Sequence, residues 1–267
     1  MSTTLTVTST SWITPIVRRI ALRTDDLSAF ADSVFTDRYV KLAFPKPGVE
    51  YPQPLDVKAL RGSIPPEDLP DVRTYTALFP DVAAGTLAID FVVHGDEGIA
   101  GPWAARAEIG DTLVLDGPGG AYRPDPTADW HLIAGDESAL PAIIAALEAL
   151  DPDATARVVL QVQKPGYEPS LTLPRDARVS YVYREGGDRD GALLPAIRDL
   201  DWPAGRVHAF VHGEAHAVMH EVRPYLLEER GLPRADVSIS GYWREGRDES
   251  GFREWKSQLS RAEAAAS

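Results

Sequence analysis

Residues 130–147 read WHLIAGDESALPAIIAAL. Trp130 to Ala134 form a compact apolar run, Gly135-Asp136-Glu137-Ser138 breaks it, and Leu140, Ile143, Ile144 and Leu147 then recur at i, i+3, i+4 and i+7. The stretch reads as a buried strand, a turn and an amphipathic helix, with Pro141 in the helix's first turn, where a missing N–H costs little. Downstream, 158–162, 179–183, 207–211 and 237–240 read as strands, and 192–200 and 215–230 as helices between them. Strands alternating with helices predict a parallel sheet covered on both faces. A last helix is expected over 249–264, with Phe252, Trp255 and Leu259 on one face, and the Ala-rich 262–267 is expected to fray.

Upstream the grammar changes. Short strands are expected at 17–22, 39–44, 73–79, 86–93 and 112–116. In the fourth, Leu87, Ile89, Phe91 and Val93 alternate with Thr86, Ala88, Asp90 and Val92, close to the two-residue period of a strand. Several short strands without long helices predict an antiparallel sheet or barrel. Between them, 44–70 carries seven prolines and reads as an irregular excursion. Arg123-Pro124-Asp125-Pro126-Thr127-Ala128-Asp129 reads as a linker, which divides the chain into 1–124, a β-barrel, and 125–267, an α/β domain.

The whole chain has 267 residues, 27 Lys+Arg against 40 Asp+Glu, a formal charge of −13 and no Cys. The acidic balance argues against nucleic acid or an anionic membrane surface as main partner. The missing Cys excludes disulfides, iron–sulfur clusters, Cys-based zinc sites and thiol catalysis, so redox work requires a bound organic cofactor. The first twelve residues lack the basic start and apolar run of a secretory signal, and the longest mostly apolar stretch, 139–147, is too short to cross a bilayer. A cytosolic protein is expected. No internal repeat is present.

Two constellations in the first half can carry chemistry. Arg73-Thr74-Tyr75-Thr76 lies on an expected strand, with Arg73 and Tyr75 on one face and Thr74 and Thr76 on the other. An Arg can pair with a pyrophosphate, a Tyr can stack on a flavin ring and a Thr hydroxyl can bond ring heteroatoms; a solvated surface strand is the plainer alternative. Asp90-Phe91-Val92-Val93-His94-Gly95 ends a strand, and Gly98-Ile99-Ala100-Gly101-Pro102-Trp103-Ala104 enters a helix. Such a loop can offer backbone N–H groups to phosphate, or simply connect strand to helix around a packed Trp103.

In combination these segments resemble the siderophore-interacting protein family, FAD-dependent ferric-siderophore reductases of the ferredoxin reductase superfamily. Arg73–Thr76 resembles the family's R-x-Y-T and Asp90–Gly95 its acidic-F-V-x-H-G. Gly117-Pro118-Gly119-Gly120, Gly135–Ala142 and Gly241-Tyr242-Trp243-Arg244-Glu245-Gly246 follow in the family's order. The resemblance runs from about Ile16 to Gly246. It departs at Ile99, where the family has Pro, and at Pro102 before Trp103.

The resemblance implies a two-domain flavoprotein in which NADH or NADPH reduces FAD and the flavin reduces Fe(III) held by a siderophore, the chemistry being carried by FAD and not by a catalytic side chain. FAD would meet Arg73 at its pyrophosphate and Tyr75 and Thr76 at its isoalloxazine ring, with Thr74 in the same cofactor-binding strand. His94 would contact its phosphate or ribose region, with Gly98, Ala100, Gly101, Trp103 and Ala104 of the following loop beside it, and Asp90, Phe91 and Val92 would belong to the same cofactor-binding segment. Gly135, Asp136, Glu137 and Ser138 would receive the nicotinamide nucleotide, with Gly213, Glu214, Tyr242 and Trp243 nearby. Lys41, Arg244 and Arg247 would form a basic docking patch for the ferric siderophore. For any one of these cations, ordinary solvated charge is the plainer reading.

His208, His212, His216 and His220 recur every four residues, but the first pair falls in a strand and the second in a helix. Strand end and helix surface account for them better than a metal, and no third ligand is evident. Lys164 and Arg184 follow two strands of the second half and could meet a 2′-phosphate, which leaves NADH against NADPH open. Two rivals stay open as well: a ferredoxin, flavodoxin or free-flavin reductase on the same fold, and a non-catalytic siderophore or flavin carrier. The siderophore and the oligomeric state are not legible.

Overall fold

The structure is a computed structural model that describes residues 2–96, 98–185 and 193–247, together with 251, 252, 255 and 261. It divides into two compact units. The first holds Met1–Pro124 with Pro141–Asp151 and Gly166–Leu173, and the second holds Asp125–Leu140, Pro152–Pro165 and Pro174–Ser267.

The first unit is a closed antiparallel barrel. Its strands β1 (Ser2–Thr14), β2 (Val17–Arg23), β3 (Tyr39–Phe44), β4 (Asp71–Asp81), β5 (Thr86–Val92) and β6 (Thr112–Gly119) close in the order β1-β2-β5-β4-β3-β6. The period-2 pattern fixes what faces inward: Ile20, Leu22, Val40, Leu42, Leu87, Ile89, Phe91, Leu113 and Leu115 fill the interior. Strand β1 has almost no signature in the sequence. There Leu5 and Val7 point inward while Thr4, Thr6 and Thr8 are exposed, so two apolar side chains carried the only signal in a Ser/Thr-rich stretch. The proline-rich 44–70 is mostly irregular but holds one turn of helix, α1 (Val57–Leu60), whose Asp56 carboxylate accepts from the N–H groups of Lys58 and Ala59. After β5, α2 (Ala100–Arg106) packs on the barrel.

The second unit is built on a five-stranded parallel sheet of β7 (Trp130–Asp136), β8 (Thr155–Val162), β9 (Asp176–Tyr183), β10 (Val207–Glu214) and β11 (Val237–Trp243), ordered β11-β10-β7-β8-β9. β7 and β10 are buried along their whole length, as near-continuous apolar runs in a parallel sheet should be. The helix expected after β7 forms as α3 (Leu140–Glu148), although most of it groups with the first unit. α4 (Leu193–Arg198) precedes β10. Residues 215–229 are helical, wound as π-helix at Ala217–Val222 and Tyr225–Glu229, with Pro224, which has no N–H to donate, between the two stretches. Of the expected C-terminal helix, Phe252 and Trp255 are described and stack on one another at 6.0 Å; Glu249 and Leu259 lie outside the described residues, as does the first residue expected of α4, Ala192.

Candidate functional site

On the barrel, the ladder between β3 and β4 sets the geometry of the Arg73 segment. Arg73 stands opposite Leu42, Thr74 opposite Lys41, Tyr75 opposite Val40 and Thr76 opposite Tyr39. Directly opposed residues share a face, so Arg73 and Tyr75 lie on the side of the core residues while Thr74 lies with exposed Lys41. Tyr75 stacks obliquely on Phe91 at 4.5 Å, and Phe91 in turn on Trp103 at 5.5 Å. Arg73 is half-buried; its Nη1 donates 3.0 Å to the Val72 carbonyl and stands 4.0 Å from Asp71, beyond hydrogen-bond range. A guanidinium held 4.0 Å off its carboxylate neighbour Asp71, beside a ring tilted against the core, is a donor set that suits a pyrophosphate joined to a planar heterocycle.

The second constellation splits between surface and core. His94, Gly95 and Gly98 are exposed, whereas Phe91, Ala100 and Ala104 are buried with the barrel interior. Val92 ends β5, and its carbonyl lies 3.2 Å from where a Cβ on Gly101 would stand, so that glycine lets α2 sit against the strand. The Asp90 carboxylate is fully buried and clasped by Arg19 through two hydrogen bonds of 2.7 Å each. Asp90 is thus committed to β2. Arg19 carried no sequence signal, because a cross-strand ion pair is set by register and not by spacing.

At the carboxyl edge of the parallel sheet, Asp136 is a hub. One oxygen accepts from the Ser138 N–H and hydroxyl; the other accepts from the Glu214 N–H and from the Trp243 indole, both at 2.8 Å. One buried carboxylate therefore ties the ends of β7, β10 and β11 together. Gly213 makes this possible: its φ is +155°, and a Cβ there would meet an Asp136 carboxylate oxygen at 2.9 Å. Glu214 is buried and accepts from the Ala217 N–H at 2.9 Å, from Arg244 Nη1 at 2.8 Å and from the Glu245 N–H at 3.2 Å. Tyr242 is held from the other side, its hydroxyl 2.9 Å from His212 Nδ1, while His212 Nε2 meets the Ser238 hydroxyl at 3.0 Å. The consecutive residues Tyr242, Trp243 and Arg244 are each anchored at their polar heads by a different buried side chain.

Gly135 lies inside buried β7, paired with Leu160 and His212. Glu137 is buried and ion-paired with Arg184, and burial pushes its carboxyl above the usual range, with Arg184 opposing. Lys41 and Arg247 are exposed, but Arg244 is half-buried against Glu214. That pairing offsets the charge assigned to Arg244 for substrate steering. Among the histidines, His212 belongs to the Tyr242 network and His208 Nδ1 accepts from the Asp125 N–H at 3.0 Å. No group of three metal-ligating side chains occurs among the described residues. A polar residue on a fully buried strand was the available signal for His212.

A closed antiparallel barrel followed by a five-stranded parallel sheet, with a donor-rich barrel strand and a polar sheet edge, defines a flavoprotein of the ferredoxin reductase-like class. The chain belongs to the siderophore-interacting protein family: residues 6–122 match the siderophore-interacting FAD-binding domain, and 128–246 match the siderophore-interacting protein domain. It is 47% identical to an uncharacterised protein of Mycobacterium tuberculosis, over 97% of this chain and 95% of the relative. It is 34% identical to the ferric vibriobactin reductase ViuB of Vibrio cholerae, over 88% and 87%. Among solved structures, a siderophore utilization protein from T. fusca superposes with a TM-score of 0.76 at 35% identity, over 93% and 94%.

Proposed function

We propose that this protein is an NAD(P)H-dependent ferric-siderophore reductase acting in the cytoplasm. The observation that carries the reading is the match of both halves to siderophore-interacting domains, with a relative named for ferric vibriobactin reduction aligned over most of its length. No helix among the described residues is long and apolar enough to cross a membrane. FAD, when bound, supplies the redox chemistry, taking the two electrons of a nicotinamide hydride and giving them up singly to Fe(III).

The chain's own residues bind and orient. Arg73 offers its guanidinium to the FAD pyrophosphate, with His94 and the 98–104 loop alongside, and Tyr75, braced by Phe91, presents its ring to the flavin with Thr74 and Thr76 on the same strand. Gly135–Ser138 and Gly213-Glu214 receive the nicotinamide nucleotide at the sheet edge, the general ligand position of open α/β sheets. The Asp136, Glu214 and His212 bonds hold Trp243, Arg244 and Tyr242 beside it. Exposed Lys41 and Arg247 attract anionic chelates toward an otherwise acidic protein. No side chain gives or takes a proton in the hydride step. Fe(II), softer and of lower charge, leaves hard oxygen ligands more readily than Fe(III).

The test is anaerobic. The purified protein, reconstituted with FAD, should lose its yellow colour on addition of NADH or NADPH and regain it on addition of a ferric siderophore. A flavin that bleaches only with dithionite, or that bleaches but does not recolour with any ferric chelate, would contradict the reading.

A further inference from the structure

Glu137 follows β7 and Arg184 follows β9, with β8 lying between those strands. Two strand spacings amount to about 10 Å, so their ion pair crosses the carboxyl edge of the sheet over the end of β8. The Arg184 backbone is itself fixed there, its N–H bonded to the Val162 carbonyl at 3.1 Å. The Glu137 side chain is 4% exposed and Arg184 18%.

The pair differs from the Arg157–Asp201 contact of the same unit, whose carboxylate is half exposed. Arg157 grips both oxygens of Asp201, at 2.9 and 3.1 Å. Glu137 uses one oxygen for Arg184, and its Oε1 is buried with no donor among the described residues. A half-satisfied carboxylate binds its cation less firmly than a bidentate one, so the guanidinium is the more readily exchanged. A ribose 2′-phosphate, carrying close to two negative charges, is a ligand that would compete for it. A ribose 2′-hydroxyl would not.

We propose that Glu137 is a specificity-determining residue: by claiming Arg184 across the sheet edge, it withholds from the 2′-phosphate of NADPH the cation that would distinguish it from NADH. The inference rests on reading this edge as the nicotinamide nucleotide site.

Equilibrium binding separates the two ideas. The probes are 2′,5′-ADP and 5′-AMP, measured by calorimetry on the FAD-loaded protein, with wild type, Glu137→Gln, Glu137→Ala and the double variant Glu137→Gln/Arg184→Ala. Either single variant releases Arg184, so one suffices if the other does not fold. The ratio of 2′,5′-ADP to 5′-AMP affinity should rise about tenfold in the single variants, the effect of one charge-assisted contact, and should fall back in the double variant. An unchanged ratio in a folded single variant overturns the proposal, and so does a gain that survives loss of Arg184. If wild type binds neither probe and neither NADH nor NADPH bleaches its flavin, the nucleotide-site reading fails and takes the proposal with it.

Discussion

The indole N–H of Trp243 donates 2.8 Å to the carboxylate of Asp136, joining the end of one sheet strand to the end of another two positions away. The same carboxylate accepts the Glu214 N–H and both donors of Ser138, so it fixes the loop after β7 and the aromatic end of β11 in one step. Asp136→Asn replaces an acceptor by an N–H₂ facing donors. It should cost about 2–4 kcal/mol, the scale of a buried polar group left unpaired, and should alter Trp243 fluorescence. Urea unfolding checks it; a loss below about 0.5 kcal/mol would show that the hub is dispensable.

Gly213 carries a related expectation. Its positive φ and the 2.9 Å approach to Asp136 leave no room for a methyl group. Gly213→Ala should destabilise by about 1–3 kcal/mol and should disturb the same Trp243 signal, because Asp136 must shift. Thermal unfolding with a fluorescence readout tests this, and a wild-type spectrum would speak against the coupling.

His131 should make the protein acid-sensitive. It is buried, its Nδ1 has no partner among the described residues, and burial, then the neighbouring His208, push its imidazole down to about 4. The unfolded chain, with an ordinary histidine near 6.5, binds the proton more readily. Stability should therefore be complete above about pH 6.5 and fall as pH drops toward 4, by up to about 3 kcal/mol from this group. His131→Phe should flatten that slope in denaturation series at several pH values. An identical slope would assign the acid sensitivity elsewhere.

Lys41 and Arg244 should not act alike. Lys41 is exposed on β3, whereas Arg244 is half-buried on Glu214. Lys41→Ala should raise KM several-fold for an anionic ferric siderophore at low salt, and the effect should fade as salt screens it. Arg244→Ala should chiefly cost stability, about 3 kcal/mol, because Glu214 is left buried without its cation. Steady-state kinetics beside melting curves distinguish them; a large KM effect from Arg244→Ala with no loss of stability would restore its steering role.

The strand alternation of 86–93 and the apolar run of 130–134 were enough to foresee a barrel followed by a parallel sheet. Strand β1 was not foreseen, since Leu5 and Val7 are its few inward apolar residues among threonines. The site was legible as segments and not as bonds. Arg73 stood out by residue type, whereas Asp136 and Trp243 were marked only by the family resemblance of their segments. The clasp of Arg19 on Asp90, the His212–Tyr242 contact and the Glu137–Arg184 bridge join residues 71, 30 and 47 positions apart. Only strand order and register bring such pairs together, and neither has a local period. The same applies to Arg244, whose partner Glu214 lies 30 positions away on β10.

The FAD site has its own check. Arg73→Ala removes a charge-assisted contact worth about 1.5–3 kcal/mol, so the variant should fold but bind FAD at least tenfold more weakly in equilibrium titration. Unchanged affinity would move the pyrophosphate away from β4.

The central claim, that the chain carries electrons from a nicotinamide to siderophore iron, is tested most directly by stoichiometry. FAD-loaded protein, NAD(P)H and a ferric siderophore are mixed without oxygen in the presence of an Fe(II) trap. Electron balance predicts about two Fe(II) trapped per nicotinamide oxidised, at a rate proportional to protein. Nicotinamide oxidation without Fe(II), or Fe(II) formation no faster than with free flavin alone, would contradict it.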